Sequence, residues 1–130
     1  MKRSGIMNAQ LAGRLAALGH TQSFAVADVG LPVPARVPIV DLAIIQGLPR
    51  FVDVLDAVLA EVVVEAHTFA EEAQDLPSGE LFASRGDQLG KASLVPHEDL
   101  KARIDDCAFV IRTGEATPYA NVILQCGVPF

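Results

Sequence analysis

Tryptophan is absent from this 130-residue chain, and tyrosine occurs once, at Tyr119. Lysine and arginine together number 10 against 16 aspartates and glutamates, so the net charge is −6, and the basic residues form no cluster. A protein that binds nucleic acid or an anionic membrane surface needs concentrated positive charge. The charge balance therefore argues against both partners, and it is compatible with a neutral substrate.

Cysteine is scarce as well, with only Cys107 and Cys126. The two lie far apart in apolar segments and match no metal-binding or redox spacing, which predicts two buried free thiols in a reducing compartment. Near the N-terminus, Asn8, Gln10 and Arg14 interrupt any apolar region of the kind a signal peptide has. No apolar run is long enough to cross a bilayer. We therefore expect a cytoplasmic protein without a membrane anchor.

Several catalytic and cofactor-binding motifs are missing. The chain has no Gly-x-Ser-x-Gly, and the segment 86–90 has too few glycines to hold a phosphate. Its three histidines have none of the paired spacing of a zinc site. The sequence therefore predicts neither a metal nor an organic cofactor.

What is present is an alternation of helix and strand patterns. With 51% hydrophobic and 20% charged residues, the chain has the composition of one globular domain, residues 1–130. Apolar runs predict strands at 23–28, 39–44, 62–66, 92–95, 108–112 and 122–124. Helical spacing predicts helices at 8–19, 49–62 and 98–107, with a short helix and loops within 77–90. The order predicts an α/β fold of three layers, α/β/α, around a mixed, mostly parallel sheet whose last strands are partly antiparallel.

Two polar residues flank the first predicted strand. His20 follows Gly19, which suits the left-handed end of a helix, and a helix C-terminus favours a protonated imidazole. On residue pattern alone, His20 is an acid–base candidate or a simple helix cap. Asp28 ends the strand, where carboxylates of α/β sheets often bind ligand hydroxyls, but it could equally hold the following loop in an Asx-turn.

The other candidates lie towards the C-terminus. Tyr119 and Asn121 alternate with Ala120, which predicts that the first two share a strand face and could bind a polyol against the flat tyrosine ring. His97 precedes an acidic helix start, so it is a binding candidate or a capping residue. His67 lies within or near a predicted strand and has no notable polar neighbours, and a structural role is expected for it.

Five segments, in the same order along the chain, resemble the ribose pyranase family of sugar mutarotases. They are Leu-Gly-His-Thr at 18–21, Asp-Val-Gly-Leu-Pro-Val-Pro at 28–34, Gln-Gly-Leu-Pro at 46–49, Val-Glu-Ala at 64–66 and Thr-Pro-Tyr-Ala-Asn at 117–121. The similarity runs from the first residues to Phe130 and is weakest around residues 77–96. The resemblance implies that His20 is the acid–base residue, and that Asp28, His97, Tyr119, Ala120 and Asn121 bind the sugar.

The same resemblance implies an isomerase that interconverts the pyranose and furanose forms of D-ribose. It also implies a ring-shaped homo-oligomer, a decamer, and no cofactor. Gln22 departs from the family, in which Asp usually follows His-Thr, and this leaves the environment of His20 open. Two other functions remain open: a mutarotase for another sugar such as fucose, and a non-catalytic sugar-binding subunit that supports ribose uptake.

Overall fold

Six strands pair into one sheet in the computed structural model, which describes all 130 residues. The strands are β1 (Ser23–Ala27), β2 (Ile39–Asp41), β3 (Val64–Ala70), β4 (Lys91–Val95), β5 (Val110–Arg112) and β6 (Val122–Cys126). Their order across the sheet is β2-β5-β1-β6-β3-β4. Every predicted strand is therefore present, although β2 ends earlier than the apolar run that predicted it.

One strand runs against the other five. β1 pairs in parallel with β5, β5 with β2, and β3 with β4, whereas β6 lies antiparallel between β1 and β3. The prediction of a mixed, mostly parallel sheet is confirmed. The last two strands are not neighbours, however, because β1 lies between them. Five strands thus end at the same edge of the sheet, and this carboxyl edge is where β6 begins.

Helices cover both faces of the sheet. One face carries α1 (Ala9–Ala16), α2 (Phe51–Leu59), α3 (Pro77–Ala83) and α4 (Gly86–Leu89), whose apolar side chains form the larger core. The opposite face carries α5 (His97–Arg103) and the loop after β1, which form the smaller core. The three-layer α/β/α prediction is confirmed.

Alternating side chains of β1 separate the two cores. Phe24 and Val26 lie in the larger core, and Ala25 and Ala27 lie in the smaller one. Period-two alternation usually leaves one face of a strand in water, but here both faces are apolar because both are covered. Because both faces of β1 are covered, its apolar residues form a continuous run, and that run is what predicted the strand.

The first helix is shorter than its predicted extent. Asn8 caps it as expected, its side chain accepting a hydrogen bond from the Leu11 N–H at 2.9 Å. The helix ends at Ala16, and Gly19 is not in the left-handed region. Thr21 has the positive φ instead, at 67°. The prediction that His20 lies at a helix C-terminus is therefore wrong, since residues 17–19 separate it from the helix.

The remaining elements differ from the predictions mainly at their ends. α2 begins at Phe51 rather than at Pro49, and segment 77–90 contains two short helices in place of one. A 3-10 turn at residues 104–106 follows α5 and completes the predicted helix. No helix in the structure has the length and apolarity to span a membrane.

Candidate active site

The carboxyl edge of the sheet brings together three of the predicted site residues. Asp28 follows β1, His97 follows β4 after one residue, and Asn121 immediately precedes the antiparallel β6. In open α/β sheets this edge is where ligands bind, because the loops that leave neighbouring strands diverge there. Sequence reasoning placed Asp28 and His97 correctly, at the carboxyl ends of their strands.

Asp28 and Asn121 form a reciprocal hydrogen-bonded pair. The Asp28 N–H donates to Asn121 Oδ1 at 2.9 Å, and Asn121 Nδ2 donates to Asp28 Oδ2 at 2.7 Å. The other carboxylate oxygen of Asp28 accepts from the Gly30 N–H at 2.9 Å, which is an Asx-turn. Asn121 is 2% exposed. The Asp28 side chain therefore holds the following loop and also belongs to the candidate site.

His97 is fixed through its backbone and its ring. Both carboxylate oxygens of Glu72 accept from the His97 N–H, at 3.1 and 3.0 Å. Hydrogen bonds from its own N–H and from that of His97 lower the pKa of Glu72. The ring of His97 meets Tyr119 edge-on, with 5.1 Å between centroids. Its Nδ1 is buried and has no hydrogen-bond partner, which is unusual for a buried polar atom.

A cavity of about 350 Å³ lies between these residues. Its lining combines polar groups of Asp28, His97 and Asn121 with the loop residues Gly30, Leu31 and Pro32, and with Lys101. Sequence reasoning missed Lys101. Its signal was its place four residues after His97, near the start of a predicted helix, and in α5 this spacing puts both side chains on one face. Lys101 also pairs with Glu98 at 2.6 Å.

A second depression, of about 260 Å³, shares Asp28 and Gly30 with the cavity. Glu115 lies there and accepts hydrogen bonds from the Phe51 N–H at 3.1 Å and from Thr117 Oγ1 at 2.8 Å. Burial raises the pKa of Glu115, but the hydrogen bonds from Thr117, Phe51 and Ala116 outweigh it and lower the pKa overall. This carboxylate ties the segment before Tyr119 to the start of α2.

The segment of Tyr119, Ala120 and Asn121 is a turn rather than a strand. Tyr119 has φ of 58°, and the Asn121 N–H donates to the Tyr119 carbonyl at 2.9 Å. The prediction that Tyr119 and Asn121 share a strand face is therefore wrong, because β6 begins only at residue 122. The turn directs Tyr119 onto His97 and Asn121 onto Asp28, while Ala120 is buried.

His20 lies at the other edge of the sheet. It precedes β1, whereas Asp28 follows it, and five strand residues at about 3.3 Å each separate the two edges by roughly 17 Å. His20 Nε2 is 3.2 Å from Glu65 Oε2, and Gln125 Nε2 donates to Glu65 Oε1 at 2.9 Å. One chain therefore does not bring His20 together with Asp28, His97 and Asn121.

The residues for which a structural role was expected lie in the core. His67 is buried, with Nδ1 3.0 Å from the Leu89 carbonyl, and burial lowers its pKa while that hydrogen bond opposes the shift. Cys107 and Cys126 are buried free thiols, as predicted. Burial raises the pKa of Cys107 to about 12, and it raises that of Cys126 as well.

Comparison with known proteins gives a consistent set of relatives. A family model described as the RbsD / FucU transport protein family matches residues 1–129. The chain is 51% identical to the D-ribose pyranase of Cutibacterium acnes and 52% identical to D-ribose pyranase 1 of Rubrobacter xylanophilus. Both alignments span 130 residues and cover all of each protein.

Solved structures agree with this picture. Bacillus subtilis RbsD, solved in complex with D-ribose, is 41% identical, and the superposition covers 100% of both chains with a TM-score of 0.93. The fucose mutarotase of Streptococcus pneumoniae, solved with L-fucose, is 21% identical, covers 95% of each chain and has a TM-score of 0.78. The second likeness shows a shared fold only.

Proposed function

The chain belongs to the RbsD / FucU transport protein family, and from that membership we propose that it interconverts the pyranose and furanose forms of D-ribose. The observation that carries the proposal is full-length identity of about one half to proteins named D-ribose pyranase. The polar cavity at the carboxyl edge of the sheet supports it independently. The protein is then an isomerase of the sugar mutarotase type.

The cavity suits a small neutral polyol. Its volume of about 350 Å³ lies near the lower end of the range for small-molecule pockets. Each carboxylate oxygen of Asp28 accepts one hydrogen bond from the protein, so each keeps a second acceptor site for a sugar hydroxyl. The His97 ring adds a further polar side chain to the lining. Asp28, His97 and Asn121 would hold the sugar in one orientation, with Tyr119 supporting the His97 ring and Ala120 closing the turn.

Each half of the reaction needs two proton transfers. In the first half, the anomeric hydroxyl loses its proton, the bond between C1 and the ring oxygen breaks, and that oxygen gains a proton. A different hydroxyl then attacks the open aldehyde, and the protons move in the reverse sense. An imidazole serves both directions because its ordinary pKa lies near neutrality. Proton transfer of this kind supplies roughly a hundred- to ten-thousand-fold acceleration. His20 is the residue we assign to it.

A second copy of the chain has to supply His20 to the cavity. His20 lies about 17 Å from Asp28 along β1, too far for both to act on one monosaccharide. We therefore propose a homo-oligomer, a decameric ring as the family resemblance implies, in which the amino edge of one sheet faces the carboxyl edge of the next.

The surface of the single chain supports such an assembly. Met7, Ile44, Ile45 and Leu48 are 60%, 74%, 65% and 49% exposed. Three of the four, Met7, Ile44 and Leu48, line an open apolar groove of about 610 Å³ between α1, α2 and the loop after β2. Contiguous apolar surface of this kind marks an interaction site.

The experiment that tests the function is NMR saturation transfer between the pyranose and furanose signals of D-ribose. We expect faster exchange with the protein present, and loss of most of that acceleration, at least about a hundredfold, in His20→Gln. Acceleration with fucose and none with ribose would move the assignment to another sugar. No acceleration with either sugar, together with ribose binding, would make the protein a non-catalytic sugar-binding subunit.

A further inference from the structure

We propose that Glu65 is a positioning residue for His20: it holds the neutral imidazole with the proton on Nε2, so that the sugar exchanges its proton with Nδ1. The inference rests on the proposed function and deepens it. It is carried by the contacts of Glu65 and by the irregular backbone that places it.

Glu65 contacts two side chains at the amino edge of the sheet. Its Oε2 lies 3.2 Å from His20 Nε2, and its Oε1 accepts from Gln125 Nε2 at 2.9 Å. A carboxylate without a proton only accepts hydrogen bonds, so the His20 nitrogen that faces it has to carry hydrogen. The bond from Gln125, on the neighbouring strand β6, occupies the other oxygen and fixes the carboxylate plane.

The backbone at Glu65 is built to aim this side chain. In the pairing of β3 with β6, Val64 faces Cys126 and Ala66 faces Gln125, so Glu65 is an extra residue without a partner. Such a β-bulge bends the strand and redirects a side chain, often beside an active site. Without the bulge, strict alternation would determine where the carboxylate points.

A glycine supports the bulge from the other side. Gly90 has φ of 68°, and a Cβ there would collide with the backbone carbonyl and Cα of Glu65. Only a residue without a side chain allows the two backbones to come this close. The position of Glu65 is therefore fixed by packing as well as by hydrogen bonds.

The loop that carries His20 is equally constrained. Thr21, a β-branched residue, has φ of 67°, and its N–H donates to the Cys126 carbonyl at 3.0 Å. Strained backbone of this kind persists only where its surroundings hold it, and it concentrates at functional sites. The Gln22 side chain accepts from the Gly19 N–H at 2.7 Å and makes no bond to His20. Glu65, not residue 22, is the acceptor group on the imidazole.

These contacts assign separate tasks to the two ring nitrogens. Nε2 keeps its hydrogen on Glu65 throughout, while Nδ1, which makes no hydrogen bond within the chain, takes the proton from the sugar and returns it. A side chain that is 51% exposed would otherwise sample other orientations and both tautomers. The carboxylate thus reduces the number of non-productive imidazole states.

The test combines kinetics with the tautomeric state of His20. Ribose exchange is measured by saturation transfer at several ribose concentrations, for the wild type, Glu65→Gln, Glu65→Asp and the matched control Glu80→Gln, whose side chain is exposed on α3. Long-range proton–nitrogen spectra of protein labelled with 15N-histidine give the protonated nitrogen at a pH of about 8.5, two units above the ordinary pKa of histidine. Sedimentation confirms that each variant keeps the wild-type assembly.

For Glu65→Gln we expect kcat to fall about tenfold, the value of one charge-assisted hydrogen bond, with KM within about twofold. Its His20 should show a larger share of the Nδ1–H tautomer, because a glutamine amide can donate to Nε2. Glu65→Asp should recover part of kcat, and Glu80→Gln should match the wild type. If Glu65→Gln does not fold, Gln125→Met takes its place in the test. This variant keeps the Glu65 carboxylate but removes the hydrogen bond that it accepts from residue 125, and we expect a smaller fall in kcat.

Unchanged kcat and an unchanged tautomer ratio in Glu65→Gln would overturn the proposal, and so would a rise in KM at constant kcat. A wild type that does not accelerate ribose exchange would defeat the proposed function instead. The tautomer spectra would still decide whether Glu65 sets the protonation of His20, because they need no substrate.

Discussion

Asp28 is the residue at which the sequence left two roles open and the structure combines them. Its carboxylate closes an Asx-turn on Gly30 and accepts a hydrogen bond from Asn121. A strand end followed by Gly and Pro was enough to indicate both roles. The partner amide could not be predicted, because Asn121 lies 93 residues further along the chain and meets Asp28 only through sheet pairing.

The sequence predicted the surroundings of His97 better than those of His20. For His97, the residue pattern suggested binding or capping, and the structure shows its backbone as the capped group and its ring beside the cavity. For His20, the chemical candidate was chosen from a helix end that is four residues away. The assignment of His20 to acid–base chemistry stays a prediction that rests on the family resemblance.

His67 should make stability depend on pH. Burial lowers its pKa below the ordinary 6.5, so as the pH falls below about 6.5 the unfolded state takes up a proton before the folded state does. The free energy of unfolding should therefore decrease from pH 7.5 to pH 5.5, with His67 contributing at most about 1.4 kcal/mol. Urea unfolding at both pH values, at one protein concentration, measures this decrease.

The matched comparison for this prediction is His67→Gln, which removes the titrating group and leaves every other one in place. The decrease between the two pH values should be smaller in the variant than in the wild type. An equal decrease in both proteins would show that His67 does not titrate differently on folding.

At the scale of elements, the sheet was more predictable than the helix ends. All six strands were found, because two covered faces give each inner strand a continuous apolar run that periodicity detects. α1 and α2 were predicted too long, since apolar residues continue past the last helical turn into loops that still pack on the core, as Leu18 and Val62 do. Apolar spacing reports burial, and it does not report where helical hydrogen bonding stops.

The bulge at Glu65 was beyond sequence reasoning for a related reason. One extra residue in a strand leaves the apolar pattern almost unchanged. The glycine that leaves room for it lies 25 residues away and meets Glu65 only through the pairing of β3 with β4. Gly90 could be noted in the sequence, but its contact could not.

Gly90→Ala should therefore affect both stability and exchange. The new side chain would strain a backbone at φ of 68° and ψ of −148° and collide with the Glu65 backbone. We expect the free energy of unfolding to fall by about 1–3 kcal/mol, and ribose exchange to slow through displacement of Glu65. Urea unfolding and saturation transfer measure the two effects.

Gly13→Ala provides the control for this substitution. Gly13 lies within α1, and a Cβ there would meet nothing within 4 Å. Because alanine is the better helix former, this variant should be up to about 1 kcal/mol more stable than the wild type, with unchanged exchange. A Gly90→Ala protein as stable and as active as the wild type would contradict the account of the bulge.

At the scale of the molecule, the fold class and the family followed from the sequence and are confirmed. The sugar isomerase function predicted from the same resemblance stays a proposal, which the relatives named D-ribose pyranase support. The arrangement of the site did not follow. His20 and Asp28 flank the first predicted strand, so their separation could have been noted, but motifs read along one chain do not show which loops meet at each edge of the sheet. If His20 and Asp28 act on the same sugar, as proposed, different copies of the chain have to supply them, so the separation of the two edges supports the proposed oligomer.

A site shared between copies predicts that two inactive variants restore activity when mixed. His20→Gln lacks the acid–base group and keeps the cavity, and Asp28→Asn has the reverse defect. In random mixed oligomers of equal amounts, each site has one chance in two of an intact His20 and one in two of an intact Asp28, so about a quarter of the sites should be intact.

Co-refolded mixtures, assayed by ribose saturation transfer, should recover about that share of wild-type exchange, while each variant refolded alone should stay inactive. If one chain formed the whole site, every site in the mixture would carry one defect, and no activity would return at any mixing ratio. Recovery thus depends on the distance between the two edges of the sheet, and its absence would mean that His20 reaches Asp28 within its own chain.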